Sequence, residues 1–340
     1  MINRQNIMVW LIILTLLTIA FQSQASEQKF AEFTSCQLRN SEVIAPCKIG
    51  YRTYGTLNKA KSNAVLVPTW YGGNSEGHAY LADPMYIDPS KYFVVIVDAI
   101  GNGVSVSPST SQTQPLEKFP RFTIADMVAT QHRVITETLG ITRLHAIAGL
   151  SMGGMQTLQW AVQYPQATTR YAAIIGTPRL PSFDITLWTT RNILLRWYLD
   201  CQCMEPRKAL AGVWMLGSVP DVLAKDVSRQ EVLSKIEADA KGMTLTPGKA
   251  WDQIRQAEAM MAHNIALETA DDMAKAAERI IGSVLIVTGE DDRVVTPGPA
   301  KALAGLTGAT LVELDKDCGH GDPWCDAEGF GRALRRFLSQ

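Results

Sequence analysis

Leu144-His145-Ala146-Ile147-Ala148-Gly149-Leu150-Ser151-Met152-Gly153-Gly154 is the stretch that decides the fold. Its first residues, Leu144 to Ala148, are small or branched and mostly apolar, and read as a buried strand. The serine that follows is flanked by glycines, and a helical stretch runs on to Tyr164 before Pro165 stops it. Strand, tight turn and helix lift a serine hydroxyl above the edge of a sheet, and the glycines stand where side chains beside the turn would collide. A Gly-x-Ser-x-Gly run arises by chance roughly 0.1 times in a chain of this composition, before any demand on its surroundings.

Outward from this turn, short apolar runs alternate with helix-period segments. Ala64 to Pro68, Tyr92 to Asp98, Tyr171 to Gly176, Val284 to Thr288 and Thr310 to Leu314 join Leu144 to Ala148 as predicted strands. Runs this short and rich in Val and Ile are the signature of buried parallel strands. Thr123, with Asp126 three residues on, predicts a capped helix that buries Ile124, Met127, Val128, Val134 and Ile135 and ends at Gly140. The expected fold is α/β, a mostly parallel sheet covered by helices on both faces, with ligand sites beyond the carboxyl ends of its strands. Arg179 to Gly282 carries helical patterns and no convincing strand, which predicts an inserted helical lid in a main domain spanning 26–340. Four of the eight tryptophans (Trp188, Trp197, Trp214, Trp251) fall in this segment, fitting either packing against the main domain or an apolar acyl pocket.

A serine hydroxyl attacks only when an imidazole takes its proton, and the imidazole needs an acid to fix its tautomer. Of the five histidines, His78, His132 and His145 precede Ser151 and His263 lies in the helical segment. His320, in a glycine-flanked loop after the last predicted strand, is the expected base. The strand Val284 to Thr288 opens into Gly289-Glu290-Asp291-Asp292, where Asp292 is preferred to Asp291 as the acid because it lies farther from the strand end. Two backbone N–H groups must face the oxyanion. Met152 supplies one, and the loop Thr69-Trp70-Tyr71-Gly72-Gly73 supplies the other, from Tyr71 in preference to Trp70. A plain turn at Gly72-Gly73 is the alternative reading of that loop.

Three segments resemble the homoserine O-acetyltransferase branch of the α/β-hydrolase superfamily. They are Tyr51-Arg52-Thr53-Tyr54-Gly55-Thr56-Leu57-Asn58, then Phe122-Thr123-Ile124-Ala125-Asp126-Met127-Val128 with Leu139-Gly140-Ile141, and Gly149 to Gln156 with Trp160 to Pro165. The resemblance covers about Glu32 to Gly176, with a general hydrolase pattern over the last sixty residues. It implies Ser151 as acyl-accepting nucleophile, His320 as base and Asp292 as orienting acid. The chain departs from the branch where Leu150 replaces a glycine and where Thr69-Trp70-Tyr71-Gly72-Gly73 replaces His-Ala-Leu-Thr-Gly. No acceptor-binding segment of the branch can be matched between Arg179 and Gly282.

Residues 1–25 show Arg4, an apolar run from Ile7 to Phe21 and small residues before Ser26, the order of a secretory signal cut after Ala25. A retained anchor is the alternative, but the run is shorter than the roughly 20 residues of a spanning helix. All six cysteines lie past the cut. Pairing of Cys36 with Cys47 and of Cys318 with Cys325 is expected in an oxidising compartment, with buried thiols as the alternative, whereas Cys201 and Cys203 stand too close for an easy mutual bridge. No Cys and His spacing suggests a structural metal, and no cofactor is expected.

With 46% hydrophobic and 19% charged residues the chain is neither disordered nor fibrous, and a net charge of −1 offers no field for nucleic acid. The resulting expectation is an exported serine hydrolase acting on a small, apolar ester or related acyl compound. An acyltransferase and a non-catalytic exported binding protein on the same fold are the alternatives. Acetyl-CoA is cytoplasmic, so export weighs against transfer to homoserine.

Overall fold

The computed structural model describes residues 26–218 and 228–340, so the expected signal segment lies outside the described residues. In chain order the strands are β1 (Lys29–Phe33), β2 (Cys36–Gln37), β3 (Val43–Ile44), β4 (Cys47–Tyr54), β5 (Ala64–Pro68), β6 (Phe93–Val97), β7 (Ala146–Leu150), β8 (Arg170–Ile174), β9 (Ser283–Gly289) and β10 (Thr310–Leu314). Eight of them form one sheet in the order β1-β4-β6-β5-β7-β8-β9-β10. From β6 through β10 every pairing is parallel, and β4 and β1 add an antiparallel edge. Each expected strand is present within two residues. The one before Ser151 starts at Ala146 because Leu144 and His145 donate to Ala167 O and Ala64 O at the sheet margin.

Helix α1 (Ile124–Arg133) begins with the expected reciprocal cap between Thr123 and Asp126, continues as a π-turn over Val134–Thr138, and gives way at Gly140, whose φ is +61°. Helix α2 (Met152–Gln163) starts at the serine turn. Between β8 and β9 lie α3 (Ser182–Cys201), α4 (Met204–Ser218), α5 (Arg229–Gly242), α6 (Pro247–Met261) and α7 (Met273–Glu278). Then follow α8 (Gly298–Thr307), α9 (Asp322–Cys325) and α10 (Ala327–Leu338).

Apolar layers close over both faces of the sheet. Ile49, Leu66, Met127 and Trp160 share one core, and Val67, Ala148, Phe330 and Phe337 share the other. Burying each such side chain contributes about 1.5–3 kcal/mol, which fixes the register of a sheet whose strands offer little else to distinguish them. The helical segment packs a core of its own around Leu195, Tyr198, Trp251 and Ile254. Its tryptophans divide: Trp188 and Trp251 are buried, and Trp197 and Trp214 are exposed.

The disulfides Cys36–Cys47 and Cys318–Cys325 form as expected. Chain reversal before Cys47 occurs at Ser41, with Leu38 N–H donating to Glu42 O and β2 pairing with β3. The expectation for Cys201 and Cys203 is corrected, because they are bridged to each other. Gln202 takes the left-handed conformation that ends α3 (φ 50°, ψ 29°), folding the chain so that the two Cα atoms stand 5.1 Å apart, inside bridging range.

Candidate active site

Ser151 occupies a backbone conformation (φ 56°, ψ −122°) that L-residues rarely adopt. The surroundings hold it there. Its N–H donates to Ile174 O of β8 at 2.8 Å. A Cβ on Gly149 would stand 2.1 Å from Gly153 O, and one on Gly153 would stand 2.5 Å from Pro68 O. Glycine at both positions is thus a requirement of close backbone approach, and it lets the first turn of α2 press onto the ends of β7 and β5.

Three side chains distant in sequence converge over this turn. His320 Nε2 lies 3.0 Å from Ser151 Oγ, and His320 Nδ1 lies 2.6 Å from Asp292 Oδ2. All three residues are buried. With the carboxylate accepting at Nδ1, the imidazole proton sits there and Nε2 is left to accept the serine hydroxyl. The other oxygen of Asp292 accepts the N–H groups of Val294 at 2.8 Å and Val295 at 3.0 Å, which fixes the carboxylate plane. Asp291 is exposed and lies outside this buried trio. The loop carrying His320 is closed by the Cys318–Cys325 bridge, and Cys318 N–H donates to Asp322 Oδ1 at 3.0 Å.

Above β5, the amides of the loop Trp70–Gly73 are assigned one by one. Trp70 N–H donates to His78 Nε2 at 3.0 Å, Gly72 N–H to Gln256 Oε1 at 2.8 Å and Gly73 N–H to Trp70 O at 3.0 Å. Tyr71 N–H meets no acceptor among the described residues. Met152 is the first residue of α2, where an N–H has no acceptor within its own helix. Of the two loop residues considered from sequence, Trp70 has its donor engaged and Tyr71 does not.

Sequence reasoning missed the residues that hold this loop. His78 is fully buried, its Nδ1 2.8 Å from Asn74 O, and burial pulls its pKa down to about 4, so the ring stays neutral and accepts from Trp70. Gln256 reaches in from α6 and also donates to Ile100 O at 3.1 Å. Gln156 on α2 donates to Thr69 O at 2.9 Å. From α3, Asp184 Oδ2 accepts Thr296 N–H at 3.0 Å and Trp188 Nε1 donates to Val294 O at 3.3 Å, so the helical segment grips the loop that bears Asp292. Burial pushes the Asp184 pKa up to about 6, with the charge of Asp292 adding to the effect. One signal of Gln256 was present in the sequence: Asp252, Arg255 and Gln256 are polar residues three and four apart on a helix face that is otherwise apolar, and all three are buried.

A parallel sheet carrying a serine elbow, with imidazole and carboxylate delivered by the loops after later strands, defines the α/β-hydrolase architecture. The chain belongs to that family: the α/β hydrolase fold model matches residues 65–326. A probable esterase of Corynebacterium glutamicum is 41% identical over 160 residues, covering 46% of either chain. A homoserine O-acetyltransferase of Pelobacter propionicus is 36% identical over 191 residues, covering 50% of either chain. The chain spans about half the length of these curated relatives. An acetylester hydrolase from Corynebacterium glutamicum superposes with a TM-score of 0.83 at 26% identity, covering 92% of this chain and 96% of that one. Among the described residues no helix is long and apolar enough to cross a membrane.

Proposed function

We propose that the protein is an exported serine esterase that hydrolyses short acyl esters through an acyl-enzyme. The observation that carries this reading is His320 bridging Ser151 Oγ and Asp292 Oδ2 at 3.0 and 2.6 Å in a buried site. Ser151 Oγ attacks the ester carbonyl while His320 Nε2 takes its proton. Tyr71 N–H and Met152 N–H stabilise the oxyanion, and Asp292 stabilises the imidazolium. Collapse breaks the bond to the alkoxy oxygen, which leaves with the proton from His320. Water then repeats the sequence on the acyl-enzyme, releasing the acid and restoring Ser151. The probable esterase relative supports ester hydrolysis, and the acetylester hydrolase structure supports a small acyl group.

In this reading residues 1–25 are a signal removed after Ala25, consistent with three disulfides that persist only in an oxidising compartment. The segment 179–282 is an inserted lid over the nucleophile. The test is turnover of p-nitrophenyl acetate by protein recovered from the exported fraction, with fluorophosphonate labelling mapped to Ser151. Folded protein that neither turns over esters nor labels at Ser151 would favour a non-catalytic binding role. The second reading, acyl transfer, is supported by the homoserine O-acetyltransferase relative. It predicts faster CoA release from acetyl-CoA with homoserine than without.

A further inference from the structure

Two arginines of the helical segment are buried, and they are treated differently. Arg255 on α6 donates to Phe119 O and Glu117 O and pairs with Glu258 at 2.9 Å, so its charge is fully accommodated. Arg191 on α3 is 8% exposed, its Nε has no hydrogen-bond partner, and no carboxylate pairs with it among the described residues. Its guanidinium hydrogen-bonds the Tyr71 side chain and lies among aromatic rings, 5.8 Å from the centroid of Tyr71, 5.6 Å from that of Trp188 and 5.2 Å from that of Trp214. A desolvated cation with no anion costs stability that the rings only partly return.

Arg191 lines a cavity of about 280 Å³ between the helical segment and the Trp70–Gly73 loop, with Gly72 and Gln256 in the same wall and Lys249 contributing a second cation. Asn102 and Gln253 add neutral hydrogen-bonding groups. One carboxylate, Asp252, also borders it. Both Asp252 oxygens are engaged by Ser109, through N–H at 2.9 Å and Oγ at 2.5 Å. Burial pushes the Asp252 pKa up to about 6. The cavity therefore presents a guanidinium that meets the Tyr71 side chain but no carboxylate and whose Nε is without a partner, beside the residue proposed to supply an oxyanion amide.

We propose that this cavity binds a carboxylate carried by the ester substrate, with Arg191 as its counter-ion, an inference that rests on the esterase reading for the word substrate but not for the anion site itself. The carboxylate belongs either to the acyl chain, as in a half-ester of a dicarboxylic acid, or to the alcohol, as in an acylated hydroxy acid. An Arg guanidinium paired with carboxylate in a water-poor site gives a strong charge-assisted contact.

The experiment has a binding arm and a turnover arm. Calorimetry with glutarate is run on the wild type, Ser151→Ala, Arg191→Met and Arg191→Lys, each checked for native near-ultraviolet circular dichroism. Glutarate binds the wild type and Ser151→Ala, and Arg191→Met weakens it by about tenfold or more while Arg191→Lys retains part of the affinity. In turnover, kcat/KM for p-nitrophenyl hydrogen glutarate and for acetoxyacetate is divided by that for a neutral ester of equal length. The source of the carboxylate is the arm whose ratio exceeds one in the wild type and collapses through KM in Arg191→Met. Folded wild type that binds no glutarate and prefers neutral esters in both arms overturns the inference. Glutarate bound through Arg191 by a protein that turns over no ester leaves the anion site standing and overturns the esterase reading instead.

Discussion

The nucleophile end of the sheet and the helical segment above it position chemistry by different means. At the sheet, backbone places Ser151: glycines let α2 sit on β5 and β7, and the Ser151 N–H is tied to β8. In the helical segment, single buried polar side chains do the placing. Gln256 holds Gly72, and Asp184 with Trp188 holds the loop after Asp292. Backbone contacts tolerate almost no change of residue, whereas a side-chain contact can be weakened by degrees. Damage at the elbow should therefore be large and abrupt, and damage in the helical segment graded.

The sharpest break is Ser151→Ala, expected to lower kcat by about 10⁴-fold or more while the thermal midpoint stays near wild type; steady-state kinetics beside calorimetry decide it. Next comes Gly149→Ala, whose Cβ meets Gly153 O at 2.1 Å, against Gly212→Ala on α4, where a Cβ meets nothing within 4 Å. Urea denaturation should show a loss of about 2–4 kcal/mol for the first and a gain of up to about 1 kcal/mol for the second. Equal outcomes would erase the contrast between the two regions.

Acidity probes both regions at once. Burial pulls the pKa of His78, below the Trp70 loop, and of His263, after α6, down to about 4. A depressed histidine binds its proton more readily in the unfolded chain, so the stability each contributes is present above about pH 6.5 and lost as pH falls towards 4, by about 2–3 kcal/mol apiece. Asp184 and Asp252 act in the opposite sense, since their raised pKa favours the fold most below the unfolded value and this advantage fades as pH rises through about 6. Thermal midpoints between pH 7 and 4 should fall less in His78→Gln and in His263→Asn than in the wild type.

Reduction separates a strap at the site from one remote from it. Replacing Cys318 and Cys325 by Ser frees the loop bearing His320 and should lower kcat by about ten- to hundredfold, since small displacements of a base are costly. Replacing Cys36 and Cys47 should instead cost about 2–4 kcal/mol of stability and leave kcat within about twofold. A milder loss of activity is expected for Gln256→Leu, about tenfold in kcat as Gly72 and the adjoining Tyr71 amide lose their anchor. An unchanged kcat there would show that the Trp70 loop holds its shape without the helical segment.

Much of this molecule was legible before its folding was seen. Short apolar runs gave the central parallel strands, since a strand buried on both faces must be apolar throughout, whereas β10, also expected to be buried, lies at the sheet edge and is mostly exposed; glycine spacing gave the elbow, since only glycine permits that approach. That Ser151, His320 and Asp292 converge could be expected from chain order, because loops after successive parallel strands open at one end of the sheet. The antiparallel edge of β1 and β4 carries mixed polarity and gave a weaker signal, and the Cys201–Cys203 bridge depended on the conformation of one residue, Gln202.

What the sequence determined by itself was whatever follows from short-range pattern: strands, elbow, cap and the chain order of the candidate site residues. Only the tertiary structure decided that His78 occupies the Trp70 amide, that Gln256 takes the next but one, and that Arg191 is buried with no carboxylate beside it and its Nε unpartnered. The physical reason is that a polar side chain carries no mark of its partner. Hydrogen bonding and desolvation are settled by which atoms meet after the chain has folded, across separations such as the 184 residues between Gly72 and Gln256.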